Sequence, residues 1–150
     1  MKNKETVLPA PVLIVEDEAM IRSRLDLILS ELGYSQDMLI FAKNLAEAMQ
    51  IIASQPISLA LVDLGLPDGN GITLIEKLRG IDESALILVI SAWSTQQSLF
   101  ASIKAGANGY VLKERDDAEV LMSIRSILRG GAPIDPFIAR EILNQISTDR

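Results

Sequence analysis

Five short apolar runs, each followed by a segment with apolar residues at helical spacing, constrain the fold of this 150-residue chain most strongly. The first run, Val12–Val15, is continuous and rich in β-branched residues, which is typical of a strand buried on both faces. By the same criterion, strands are predicted at 38–41, 57–62, 86–90 and 110–112. This alternation predicts an α/β fold, a five-stranded parallel sheet with helices on both faces.

The helices between these runs have recognisable starts. Four residues are predicted N-caps: Asn44, Ser94, Asp116 and Asp135. The first three are each followed three residues later by Glu or Gln, the pattern of a capping box. Asp135 is followed by Pro136, and Pro is favoured at the first position of a helix.

The length of the chain suits one domain with a continuous core. We expect an N-terminal extension at 1–10, one domain at 11–130, and a linker with an extra helix at 131–150. Because all five strand–helix units fall within 11–130, the last helix is expected to lead to an effector domain that these 150 residues do not contain.

Composition excludes several classes of protein. The chain contains neither Cys nor His, which excludes disulfides, thiolate or imidazole metal sites and Ser–His catalysis. Its formal net charge of −6 argues against general nucleic-acid binding, which needs Lys and Arg to neutralise phosphates. No apolar run approaches the ~20 residues that span a bilayer, and residues 1–11 do not resemble a secretory signal. We therefore expect a cytoplasmic protein with no membrane partner.

Charged and hydroxyl side chains follow four of the five predicted strands. The carboxyl ends of parallel strands meet at one edge of the sheet, where such folds bind ligands, so these side chains should lie together. They are Glu16 and Asp17 after the first strand, Asp63 after the third, Ser91 after the fourth and Lys113 after the fifth.

This set of residues is suited to phosphoryl transfer. Asp17 and Asp63 are the natural direct ligands of a magnesium ion, with Glu16 helping through water, since Mg²⁺ prefers carboxylate and water oxygens. A carboxylate can also attack phosphorus to form an aspartyl phosphate. A hydroxyl donor and a Lys then supply the positioning and charge neutralisation that phosphoryl transfer needs.

Each of these residues also has a structural interpretation. Glu16 and Asp17 could cap the first helix, and Asp63 could be an Asx-turn residue. Ser91 could be a hydrogen-bonded hydroxyl at a strand end, and Lys113 a solvated surface charge. Their shared position at one edge of the sheet favours the functional interpretation.

Four segments resemble those of a known family. LIVEDE, LALVDLGLPDGNG, LVISAWS and GANGYVLKE occur in the order and at the spacing of a response-regulator receiver domain of two-component signalling, over roughly residues 11–130. GANGYVLKE and the tail are similar to the NarL/LuxR-type subgroup. The resemblance implies a flavodoxin-like sheet with strand order 2-1-3-4-5.

The resemblance also implies a role for each matching residue. Asp63 would be the phosphorylated aspartate, and Ser91 and Lys113 the groups that bind its phosphoryl group. Tyr110 matches the switch aromatic, which rotates inward when the Ser or Thr moves.

The magnesium ligands follow from the same match. Asp17 would bind Mg²⁺ directly, together with Asp63 and the backbone carbonyl of Gly65. Glu16 occupies the other position of the acidic pair, where the family has Asp or Glu.

A protein of this family takes a phosphoryl group from a sensor histidine kinase, so that kinase is the expected partner. We expect a homodimer on phosphorylation, and contact with DNA only through a missing C-terminal domain. The protein would not be an enzyme, beyond self-phosphorylation from small donors and autodephosphorylation.

Two other functions stay open. One is a receiver-like interaction module that works without phosphorylation. The other is an aspartate-nucleophile phosphatase, but that enzyme would want a second Asp where this chain has Gly65. Dinucleotide binding is disfavoured, since no Gly-x-Gly-x-x-Gly follows the first strand.

The chain departs from the family pattern at three places. Gly65 replaces a larger side chain, and Trp93 stands two residues after Ser91; both positions influence how water reaches a phosphoaspartate. Glu114 follows Lys113 where many relatives have Pro, so no cis X-Pro bond is expected there.

Overall fold

The computed structural model describes residues 7–148, so residues 1–6 of the predicted extension and residues 149–150 of the predicted linker lie outside the described residues. One parallel sheet has the strand order β2-β1-β3-β4-β5, which confirms the predicted α/β fold and topology. Its strands are β1 (Val12–Val15), β2 (Leu39–Ala42), β3 (Leu59–Val62), β4 (Leu86–Ser91) and β5 (Gly109–Leu112).

Six helices accompany the sheet in the described part of the chain. They are α1 (Ala19–Glu31), α2 (Leu45–Ser54), α3 (Gly71–Ile81), α4 (Gln96–Ala105), α5 (Asp117–Leu128) and α6 (Pro136–Thr148). Two small elements were not predicted. A 3₁₀ turn at Gln36–Met38 precedes the second strand, which lies one residue later than its predicted position at 38–41. A two-residue antiparallel pair joins Gly65–Leu66 to Gly69–Asn70.

Alternate residues of the strands supply two apolar cores, one on each face of the sheet. Leu13 and Val15 of β1 belong to a core with residues of α2, α3, α4 and α6. Val12 and Ile14 belong to the other core, with α1 and α5. Because both faces are covered, each residue of β1 is fully buried, as its continuous apolar run predicted.

Three of the four predicted N-caps are confirmed. Asn44 and Asp116 each accept a hydrogen bond from the backbone N–H three residues on, and Asp135 accepts one from Phe137 N. The prediction of Ser94 was wrong by one residue, since Thr95 caps α4. The Thr95 hydroxyl accepts from Ser98 N at 3.1 Å and bonds the Ser98 hydroxyl at 2.9 Å, a pair of bonds that fixes the start of the helix there.

The segment before β1 and the segment after α5 both pack against the sheet. Tyr34 donates a hydrogen bond to the carbonyl of Pro9, and Ser58 donates one to the carbonyl of Ala10. At the other end, the predicted last helix is present as α6, which lies against α4 and buries Ile138 completely. None of the helices in residues 7–148 is long and apolar enough to cross a membrane.

Candidate functional site

The parallel register brings the predicted site residues to one edge of the sheet. Val15 of β1 pairs with Val62 of β3, so Glu16 and Asp63 leave neighbouring strands side by side. Lys113 follows β5, and its backbone N–H donates to the carbonyl of Ser91 at 2.8 Å. The carboxyl ends of four strands therefore meet, as their order in the sequence predicted.

Lys113 is the centre of this cluster. Its Nζ lies 3.0 Å from Asp63 Oδ2, 2.9 Å from Glu16 Oε1 and 3.2 Å from Glu18 Oε1. The side chain is only 14% exposed, so its interpretation as a solvated surface charge was wrong. Glu18 had no predicted role, although it completes the acidic run Glu16-Asp17-Glu18.

Three carboxylates form a group that fits a divalent cation. Glu16, Asp17 and Asp63 each offer an oxygen, and these oxygens lie within 4.8 Å of one another. Glu16 and Asp63 are buried and Asp17 is exposed. Oxygen donors at this separation suit a hard cation that keeps part of its water shell.

The first helix does not account for these carboxylates. The N-cap of α1 is Glu18, and no side chain caps the helix. Glu16 Oε2 accepts a hydrogen bond from Glu18 N at 3.0 Å, outside the helix itself. Capping is therefore not what places Glu16 and Asp17 at the end of β1.

Burial and crowding shift the protonation of the cluster. Burial raises the pKa of Glu16 to about 7, and burial also raises the pKa of Asp63. Burial alone would lower the pKa of Lys113, but hydrogen bonds to Glu16 and Asp63 outweigh it and raise that pKa above its usual value. A charged Lys113 thus faces carboxylates that are costly to ionise, an environment that favours binding of further positive charge.

Asp63 is held by its own loop as well as by Lys113. Its Oδ1 accepts from Gly65 N at 3.3 Å, so the Asx-turn geometry is present together with the functional cluster. Gly71 lies so close to the backbone carbonyl of Asp63 that a β-carbon there would collide with it. Further along the loop, both carboxylate oxygens of Asp68 accept backbone N–H bonds from the start of α2.

Ser91 and Tyr110 lie at the same edge but do not bond to Asp63. The Ser91 hydroxyl is buried and accepts from Trp93 N at 3.1 Å. The Tyr110 side chain is fully buried, and its hydroxyl donates to the carbonyl of Trp93 at 2.6 Å. Within residues 7–148 no hydrogen bond joins Ser91 or Tyr110 to Asp63.

The cis peptide bond in this part of the chain is Ala10–Pro11, and the bond after Lys113 is trans, as predicted.

Two arginines of α1 that the sequence did not single out hold the backbone of the site. Arg22 Nη1 donates to the carbonyl of Glu16 at 2.9 Å. Arg24 Nη1 donates to the carbonyl of Lys113 at 2.8 Å, and the same guanidinium contacts the carbonyl of Arg115 and the carboxylate of Asp117. The contacts of Arg24 join residues about 90 positions apart, so no local pattern could have predicted them.

Comparison with known proteins gives a consistent answer. The response regulator receiver domain family matches residues 12–125. The chain is 29% identical over 142 residues to the Fimbriae Z protein of Salmonella typhimurium strain LT2, covering 95% of this chain and 65% of that protein. It is 35% identical over 118 residues to the transcriptional regulatory protein PhoP of Escherichia coli K12, covering 79% and 52%. The chain thus spans between half and two thirds of the length of these relatives.

A solved structure extends the likeness to the tail. The two-component response regulator of the LuxR family from Aurantimonas sp. SI85-9A1 superposes with a TM-score of 0.77 at 27% identity, covering 93% of this chain and 99% of that one. This similarity is in keeping with the NarL/LuxR-type subgroup named from the sequence. By its family match, its sheet topology and its relatives, the chain belongs to the response regulator receiver domain family.

Proposed function

We propose that this chain is a phosphoacceptor switch in which Asp63 takes a phosphoryl group from a sensor histidine kinase. The observation that carries the proposal is the contact of Lys113 Nζ with Asp63 Oδ2 at 3.0 Å, beside two further carboxylates. A buried Asp with an ammonium at hydrogen-bond distance has both a nucleophile and a partner for the charge that a phosphoryl group brings.

Magnesium is the proposed cofactor. Asp17, Asp63 and the backbone carbonyl of Gly65 would hold it directly, and Glu16 would act through water, a donor set that consists of oxygen alone. When bound, the ion neutralises charge on the phosphoryl oxygens. Burial is the main cause of the raised pKa of Asp63, and a bound cation would relieve the smaller contribution that comes from repulsion by Asp17.

In the proposed transfer, Asp63 is the nucleophile, and Lys113 and Ser91 bind the transferred group. One carboxylate oxygen of Asp63 forms a new P–O bond, while the P–N bond of the donor's phosphohistidine breaks and its electron pair stays on the imidazole nitrogen. The ammonium of Lys113 then binds the phosphoryl oxygens, and the Ser91 hydroxyl turns from Trp93 N towards them.

The expected output is a change at the surface around β5. Phosphorylation adds a charge of about −1.5 to −2 beside Lys113 and Ser91. This charge is expected to shift the carboxyl ends of β4 and β5, and Tyr110 with them. We propose that this change favours a homodimer. We further propose that a C-terminal DNA-binding domain of a longer chain carries the response, since PhoP, a relative that this chain covers only in part, is by name a transcriptional regulator. These 150 residues, with a net charge of −6, are expected not to bind DNA themselves.

Intact-mass measurement tests the proposal. The protein is incubated with Mg²⁺ and acetyl phosphate, a small phosphodonor, and the expected result is a gain of one phosphoryl group that base removes. Asp63→Asn is the control variant, because the amide keeps the shape of the side chain and cannot act as the nucleophile.

Three outcomes would overturn the proposal. A wild-type protein that gains no mass would favour an interaction module that works without phosphorylation. An undiminished gain in Asp63→Asn would place the acceptor elsewhere. Steady release of inorganic phosphate from many donors would instead favour the phosphatase.

A further inference from the structure

The linker after α5 extends the sheet beyond β5. Tyr110 N donates to the carbonyl of Pro133 at 2.9 Å, and Asp135 N donates to the carbonyl of Tyr110 at 2.8 Å. Ile134 thus pairs with Tyr110 in the parallel sense. Both outward-facing backbone groups of Tyr110 are bonded to the linker, so the proposed switch residue and the linker share one set of hydrogen bonds.

The next residue of the linker carries a buried negative charge. The Asp135 side chain is 0% exposed, and it pairs with Arg115 through two hydrogen bonds, Nε to Oδ1 at 2.8 Å and Nη2 to Oδ2 at 2.7 Å. Oδ1 also accepts from Leu112 N at 3.2 Å, and Oδ2 from Phe137 N at 3.1 Å. A buried carboxylate is stable only when its oxygens are satisfied in this way.

The partners of Asp135 lie on either side of Lys113. Leu112 precedes it directly at the end of β5, and Arg115 follows two residues later. On the opposite side of this loop, Arg24 of α1 holds the backbone carbonyls of Lys113 and Arg115. The backbone from which Lys113 reaches Asp63 is therefore fixed from α1 on one side and from the linker on the other.

We propose that Asp135 is a positioning residue of the phosphorylation site, which couples occupancy of Asp63 to docking of the linker helix α6. The inference rests on the proposed function and adds to it a regulatory path. Asp135 contacts neither Asp63 nor a metal ligand; it acts through the loop that carries Lys113. Because Asp135 also begins α6, the same carboxylate fixes the site and the start of that helix.

The coupling has a sign that follows from these contacts. With Asp135 in place, Lys113 is already held near the oxygen that receives the phosphoryl group, so docking of the linker stabilises the phosphorylated state of Asp63. Coupling between two sites is reciprocal, so a phosphoryl group must stabilise docking of the linker by the same factor. If Asp135 did no more than cap α6, a phosphoryl group on Asp63 would not stabilise docking of the linker.

The first test uses the wild-type chain. Hydrogen exchange of residues 133–142 is measured with Mg²⁺ alone and with Mg²⁺ plus beryllofluoride, an analogue of the phosphoryl group. We expect beryllofluoride to slow exchange in this segment roughly fivefold or more, the lower end of ordinary coupling between sites. Protection of the loop after Asp63 without any change at 133–142 would overturn the inference.

The second test uses Asp135→Asn, which keeps an N-cap oxygen and removes the charge opposite Arg115. The affinity for beryllofluoride should fall roughly fivefold or more, and bound beryllofluoride should no longer protect residues 136–142. Asp82→Asn is the matched control, because Asp82 likewise binds a backbone N–H and a side-chain donor, both of Ser84, at the opposite edge of the sheet. It should bind beryllofluoride with the affinity of the wild type.

The outcomes separate this inference from the proposed function. A wild-type affinity for beryllofluoride in a folded Asp135→Asn variant would overturn the inference and leave phosphorylation of Asp63 intact. A wild-type chain that neither takes up a phosphoryl group nor binds beryllofluoride would overturn both. If Asp135→Asn does not fold, the exchange measurement on the wild type decides.

Discussion

Trp93 lies directly over Gly65, and the two residues fit because position 65 has no side chain. A β-carbon on Gly65 would lie 3.3 Å from Trp93 Cζ2, which is tighter than ordinary van der Waals contact. Gly65 is two residues after Asp63, and the Trp93 backbone bonds both Ser91 and Tyr110. Trp93 is 41% exposed, so its indole faces both the loop after Asp63 and solvent.

We expect the fluorescence of Trp93 to report on the site. It is the only Trp in the chain, so the whole tryptophan emission comes from this position. Binding of Mg²⁺ beside Gly65 should change the polarity around the indole and shift its intensity or its maximum. A titration to millimolar Mg²⁺ checks this, with Asp17→Ala as the control that should not respond. A flat wild-type titration would contradict the prediction.

The Asp17→Ala and Lys113→Ala variants should each lose a different step of the proposed function. Asp17→Ala should weaken Mg²⁺ binding and slow phosphorylation at least about tenfold, equivalent to about 1.4 kcal/mol, because it removes a direct ligand. Lys113→Ala should chiefly prevent the phosphorylated chain from switching, since the ammonium that contacts Asp63 is lost. Intact-mass time courses give the rates, and sedimentation of the phosphorylated chain detects the dimer. Equal phosphorylation rates for wild type and Asp17→Ala would contradict the assignment of the metal ligand.

Glu16 should destabilise the metal-free protein at high pH. Burial raises its pKa from 4.5 to about 7, so the folded state holds this proton more tightly than the unfolded state does. Stability should therefore fall as pH rises from about 4.5 to about 7 and level off above that range. Glu16→Gln should raise the free energy of unfolding at pH 8, on the order of 1–3 kcal/mol, and the gain should vanish near pH 4. Urea denaturation in the presence of a chelator measures this; a gain that is independent of pH would contradict it.

Two glycines of α3 should respond oppositely to Ala. Gly71→Ala would place a β-carbon against the backbone of Asp63 and Leu64, which should cost about 1–3 kcal/mol of stability and displace Asp63. Gly80→Ala meets no atom within 4 Å and should stabilise the helix by about 0.5–1 kcal/mol. Urea denaturation compares the two variants, and the phosphorylation rate should fall in Gly71→Ala alone. A neutral Gly71→Ala would show that the loop adapts.

The sequence predicted those features that depend on local chemistry. Continuous β-branched runs predicted buried strands, and side-chain oxygens at Asn44, Asp116 and Asp135 predicted helix starts. The grouping of Glu16, Asp63 and Lys113 was also predicted, because it follows from parallel topology once the strands are known. The roles of these residues in phosphoryl transfer stay predictions.

The features that were missed depend on parts of the chain that are distant in sequence. Asp135 was recognised as a cap, but its pairing with Arg115 requires the linker to turn back onto β5. Arg24 occupies an ordinary helical position, and only the packing of α1 beside the β5–α5 loop makes it a ligand of two carbonyls. At Thr95 the error was local: two adjacent hydroxyl residues can each start a helix, and the extra bond to Ser98 decides between them.

The pairing of Pro133–Asp135 with β5 also has a consequence for where this domain can be cut or joined. The family match ends at residue 125, yet the outer backbone groups of Tyr110 in the last strand are bonded to residues eight and ten positions beyond that point. A chimera joined at residue 125 would leave β5 as a bare sheet edge, a template on which other chains can add and aggregate. A junction placed after α6 keeps the edge covered, so a domain fused to this one should begin beyond Thr148.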